Sequence, residues 1–97
     1  MTSLLDVVSA LDAVPAWGRF GPSPTIYARR PWRPGSDAQV ATRRPADPAF
    51  EYLLEVNLAR EAVEVWRDWR DGAVPTPEEA TLAVIHYAEF DAYQPVD

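Results

Sequence analysis

The chain has no cysteine and no lysine, a single histidine, and only four glycines in 97 residues. Without cysteine there are neither disulfides nor thiolate metal ligands, so packing alone must hold the fold. His86 stands three residues before Glu89, adjacent on a helix, but such a pair needs further ligands that a chain with one histidine does not supply. No apolar run approaches the roughly 18–20 residues of a membrane span, and no basic segment leads into an apolar one as in a secretory leader. A soluble, cytoplasmic protein is expected. Catalytic patterns are missing too: no serine lies in a Gly-x-Ser-x-Gly elbow, and no glycine-rich phosphate loop follows a strand. The expectation is a non-enzymatic protein without cofactor or metal.

What is present is aromatic bulk and uneven charge. Four tryptophans, four tyrosines and three phenylalanines can fill the core of one domain spanning residues 1–97. All nine basic residues are arginines, and the net charge is −6. Six arginines stand against Asp37 between residues 19 and 44, whereas twelve acids stand against three arginines from residue 45 onward. An asymmetry of this size favours a charged partner, or a fold that brings the two regions together.

The stretch 51–72 carries both repeat patterns a compact fold needs. Tyr52, Leu54 and Val56 alternate with Glu51, Leu53 and Glu55, which predicts a strand over 51–56 with the first set on one face. From Leu58 the period changes: Leu58, Ala59, Ala62, Val63, Val65, Trp66 and Trp69 share one arc of a helical wheel, and Arg60, Glu61, Glu64, Arg67, Asp68 and Asp71 fill the other. Asn57 is read as the N-cap and Gly72 as the stop. The rival reading is one long helix opened by Asp47-Pro48.

Before it, Ser3 to Ala13 predicts a helix capped by Ser3 with Asp6 at its third position and Leu4, Val7, Val8 and Leu11 as its apolar stripe. Residues 17–24 hold two glycines and two prolines and form an irregular connection, with Trp17 and Phe20 folded back over the core. Thr25 to Arg30 and Ala38 to Arg44 predict two strands joined as a hairpin through the loop PWRPGSD. Thr76-Pro77-Glu78-Glu79 is a capping box that opens a last helix, running to about Ala92 and burying Thr81, Val84, Ile85, Ala88 and Ala92. The fold class is α+β: a small antiparallel three-stranded sheet packed by helices on one face, in the order α-β-β-β-α-α.

Two surfaces carry functional possibilities. Arg29, Arg30, Arg33, Arg43 and Arg44 with Trp32 form the only basic cluster, a composition suited to single-stranded nucleic acid. Its bland counterpart is that these arginines pair with acids of the helices, or cover the edge of a short sheet. On the last helix Glu78, Glu79, Glu89 and Asp91 combine with Tyr87, Phe90 and Tyr93, the composition of a docking site for a basic protein. Asp91 is expected to be partly shielded beside Val84 and Ala80. The bland reading of this set is solubilising charge with the aromatics in the core.

From Thr25 onward, the segments TIYARR, PW with its turn, AQVATRR, EYLLEV and TPEEATLAVIHYAEFDAY resemble a family of small bacterial proteins of unassigned function. That family is similar to the immunity proteins of polymorphic toxin systems. The resemblance implies a small, acidic, non-enzymatic protein that neutralises a cognate toxin by occluding its active site, and it assigns a role to no individual residue. The leading expectation is thus a cognate protein partner, possibly a basic toxin domain, contacted through Glu78, Glu79, Tyr87, Glu89, Asp91, Tyr93, Trp32 and Arg30. A nucleic-acid-associated module acting through the Arg29–Arg44 hairpin is the second reading. The third is a structural subunit that self-associates through Trp32 or Trp69; the oligomeric state expected is monomer or homodimer.

Overall fold

A computed structural model describes residues 2–11 and 24–95; the expected connection containing Trp17 and Phe20, and the last residues of the expected first helix, lie outside them. Helix α1 spans Leu4–Ser9. Ser3 caps it as expected, with its hydroxyl accepting from the Asp6 amide at 3.1 Å and the Asp6 carboxylate accepting from the Ser3 amide at 3.3 Å. The α-helical part stops at Ser9, short of the expected Ala13, and Leu4, Val7, Val8 and Leu11 are buried.

Three strands follow: β1 (Thr25–Arg29), β2 (Ala38–Ala41) and β3 (Phe50–Glu55). They form one sheet in the order β2-β1-β3, with β1 antiparallel to both neighbours. β1 and β2 make the expected hairpin, Ala28 facing Ala38 and Thr25 facing Ala41. β2 ends at Ala41 rather than at Arg44, because the chain must leave the sheet there to cross β1 and start β3. The Arg30–Pro31 bond within the hairpin loop is cis.

β3 departs from simple alternation. Ile26 pairs with Leu54 but Tyr27 pairs with Tyr52, so Leu53 is the extra residue of a β-bulge. The bulge lets both Leu53 and Leu54 reach the interior, while Tyr52, expected beside Leu54 on the inner face, is half-exposed and packs edge-on against Tyr27 at 6.5 Å.

Helix α2 (Val56–Asp68) begins directly after β3, and the single long helix is thereby excluded. The N-cap is Glu55, not Asn57, and it has no side-chain cap bond. The cause is tertiary: the Val56 amide donates to the Pro24 carbonyl at 2.9 Å. That bond satisfies an amide a helix start would otherwise leave orphaned. Val56, Ala59, Ala62 and Trp66 are buried, a narrower stripe than expected, and Trp69 falls outside it. The helix unwinds from Trp69, and Gly72 closes the turn with a positive φ of 79° and its amide on the Arg67 carbonyl at 2.8 Å.

Helix α3 (Pro77–Phe90) starts in the expected capping box. The Thr76 hydroxyl accepts from the Glu79 amide at 3.1 Å, and the Glu79 carboxylate accepts from the Thr76 amide at 2.9 Å. Thr81, Val84 and Ile85 are buried as expected, Ala88 partly so. Ala92 is exposed, because Asp91 ends the helix in the left-handed conformation at φ 52° and turns the chain away. Ile26, Ala28, Ala38 and Leu54 of the sheet join Leu4, Val8, Val56, Ala59, Val84 and Ile85 of the three helices in one core. The molecule is an α+β domain whose helices share one face of a three-stranded antiparallel sheet.

Candidate protein-interaction surface

The eight expected contact residues lie on two parts of the chain, six on α3 and the residues that follow it and two in the hairpin loop. Glu78 and Glu79 open α3 and Glu89 lies near its end, eleven residues later, which at 1.5 Å per residue is about 16 Å along the axis. Glu79 is engaged in the capping box. Asp91 is exposed rather than shielded, because it lies beyond the last turn of the helix whose wheel was used to place it.

Trp32 and Arg30 belong to the hairpin loop and are held within it. The Trp32 indole donates to the Ala28 carbonyl at 3.2 Å, its ring packs partly on the core, and the Arg30 guanidinium covers it at 3.8 Å. Arg30 also pairs with Glu51 at 3.3 Å. Arg29 reaches Asp47 at 3.0 Å and Asp37 at 3.7 Å and lies over the Phe50 ring. Two arginines of the basic cluster are thus matched by acids, though from loops and β3 rather than from helices.

The residues that do converge lie between α2 and the segment following α3. The Tyr93 ring meets Trp69 edge-on at 5.8 Å and Tyr87 at 5.1 Å, and its hydroxyl donates to the Glu61 carboxylate. That hydrogen bond to a carboxylate, reinforced by desolvation and the Glu61 charge, pushes the Tyr93 phenol up to about 12. Arg70 fastens the same segment from the other side: Nη2 donates to the Pro95 carbonyl at 2.8 Å, Nη1 to the Trp66 carbonyl at 3.1 Å, and the guanidinium stacks 4.3 Å over Trp66. Trp69 of this clasp is 50% exposed, and Phe90 at the end of α3 is 63% exposed.

Phe90 belonged to the expected acidic and aromatic set. The helical wheel places Trp69 in the buried arc and Glu61 toward solvent; the path of residues 91–95 back across α2 joins them. The larger of two described clefts, about 370 Å³, lies between α1 and α2 and is lined by Val8, Leu11, Val63, Glu64 and Arg67, with the Arg60 guanidinium on the Leu11 carbonyl at 2.6 Å. Among the described residues no three His, Cys, Asp or Glu side chains stand close enough to hold a metal ion, and no helix is long and apolar enough to cross a membrane.

No protein-family model, curated protein or solved structure matches the chain.

Proposed function

We propose that this is a non-enzymatic protein-binding domain whose partner is a basic protein, most concretely an immunity-type inhibitor that covers the active site of a cognate bacterial toxin. The observation that carries the reading is that two large rings, Trp69 and Phe90, are exposed, Trp69 against the Tyr93 ring whose hydroxyl is bonded to Glu61. Large exposed aromatics on a domain of net charge −6 supply what a docking surface needs: ring area to exclude water and a field that steers an oppositely charged surface. The clasp fixes Trp69 against Tyr93 before any partner arrives, so less side-chain freedom is lost on binding.

The test is to isolate the partner on the tagged protein, purify it, and measure association by stopped flow. Support would be a rate falling more than tenfold from 50 to 500 mM salt, with W69A and the double variant E89Q/D91N each weakening binding at least tenfold. A rate indifferent to salt, with both variants binding as the native chain does, would remove the reading.

A further inference from the structure

Helix α3 exposes apolar side chains as well as acids. Ala80, Thr81, Val84 and Ile85 face the core, yet two large apolar side chains also face outward: Leu82 is 41% exposed, Phe90 63%, and His86 between them lies 4.7 Å from the Phe90 ring. Positions 82, 86 and 90 are four apart and follow one another along the helix surface, with Glu78 continuing the line toward the N-terminus. At 1.5 Å per residue the line from Glu78 to Phe90 is about 18 Å long, or more than three helical turns. A surface helix usually confines its apolar residues to the side its own fold covers. A second, exposed apolar stripe marks a contact surface.

Charge decides what covers it. Glu78 and Glu79 stand at one end of the stripe, Glu89 and Asp91 at the other, and α3 carries no arginine. A second copy of the chain, laid along the stripe in either direction, would set acidic ends against acidic ends. A partner element with apolar residues at helical spacing and arginine or lysine at both flanks meets the stripe and its ends at once.

We infer that the Leu82–His86–Phe90 stripe docks an amphipathic helix of the partner, basic at its flanks. This rests on the acidic-surface reading and names the element that surface receives. Leu82 and Phe90 are the apolar anchors, one turn to either side of His86. The acids at the two ends hold the incoming helix in register.

The probe is a synthetic 18-residue amphipathic peptide of leucine and arginine, with its leucine–glutamate counterpart as control, each titrated into the ¹⁵N-labelled full chain. The expected result is amide shifts centred on residues 78–91, affinity reduced about tenfold in L82A and in F90A, and no binding of the acidic peptide. Both side chains are exposed, so the variants keep the fold, which circular dichroism checks. Shifts centred elsewhere, or equal binding of the acidic peptide, would overturn the inference. So would a dimer in sedimentation equilibrium that F90D dissociates, which would assign the stripe to a second copy. A cognate partner that L82A and F90A leave unchanged but W69A weakens removes the stripe and keeps the proposed function. A cognate partner indifferent to salt and to W69A removes the function instead.

Discussion

The Tyr93 hydroxyl and the Glu61 carboxylate are an asymmetric pair: the phenol donates, and the anion stabilises the protonated phenol. Hence Tyr93 is pushed up to about 12 from an ordinary value near 10. Because the shift is upward, its contribution to the clasped state is complete below about pH 10 and disappears as the pH rises through about 12. In E61Q the amide can still accept the hydrogen bond but the negative charge is gone, so Tyr93 should titrate closer to its ordinary value. Ultraviolet difference titration at 295 nm, with Y93F to assign the step, measures this. An unchanged step in E61Q would place the cause elsewhere. Tyr52 is also raised, first by desolvation and then by Glu55, so it should titrate late as well and needs Y52F for separate assignment.

Arg29 shows how much a half-exposed ion pair can do. It ties β1 to Asp47 in the crossover and shields the Phe50 ring. Its side chain and its acids remain partly solvated, so R29A should cost only about 1 kcal/mol by urea denaturation, most of it from lost cover over Phe50.

Elements were legible where the signal is local. The two capping boxes, at Ser3–Asp6 and Thr76–Glu79, need only four consecutive residues, and both helices start where those residues place them. The hairpin pairing is readable from β-branched and aromatic content around a Pro/Gly turn, and the change from strand to helix within 51–72 from period. What period could not show is the bulge at Leu53, because an extra residue in β3 is defined by its pairing with β1, far away in the chain. The bulge has a measurable consequence. Strict alternation assigns Leu53 to the outer face with the glutamates; in the sheet it is as buried as Leu54. L53A and L54A should therefore each cost about 2–4 kcal/mol, whereas Y52A, at a half-exposed site, should cost under about 1 kcal/mol. Chemical denaturation of the three variants decides between bulge and plain strand, and a mild L53A would favour the plain strand. The start of α2 was misplaced for the same reason, since the Val56 amide bond to Pro24 crosses from one segment to another. The candidate surface was half legible: its acids and α3 aromatics follow from composition, but the alliance of Glu61, Trp69 and Tyr93 depends on the left-handed turn at Asp91, for which no glycine or proline gives warning.

For the whole molecule the decisive quantity is where unmatched charge remains after folding. Residues 19–44 hold six arginines against one acid, which taken alone reads as a phosphate-binding segment. Folding changes that balance: Arg29 meets Asp37 and Asp47, and Arg30 meets Glu51 while lying over Trp32. The ring that could have stacked on a base is covered by a guanidinium and tied by its indole N–H to Ala28. Among the described residues Arg33, Arg43 and Arg44 remain as exposed cations, set on a domain whose net charge is −6. Non-specific binding to nucleic acid requires several phosphates neutralised together, and it weakens steeply with salt. We propose that the three described arginines, on a body of net charge −6, do not meet that requirement. A fluorescein-labelled single-stranded 20-mer should therefore show no anisotropy change with this protein at 150 mM salt, while the Leu/Arg peptide binds under the same conditions. The sharper comparison is the triple variant D37N/D47N/E51Q, which releases Arg29 and Arg30 from their acids and raises the net charge by three. If internal pairing is what silences the hairpin, the variant should gain salt-sensitive oligonucleotide binding that the native chain lacks. Tight binding by the native chain that R33A/R43A/R44A abolishes would instead move the function from the acidic surface to the hairpin.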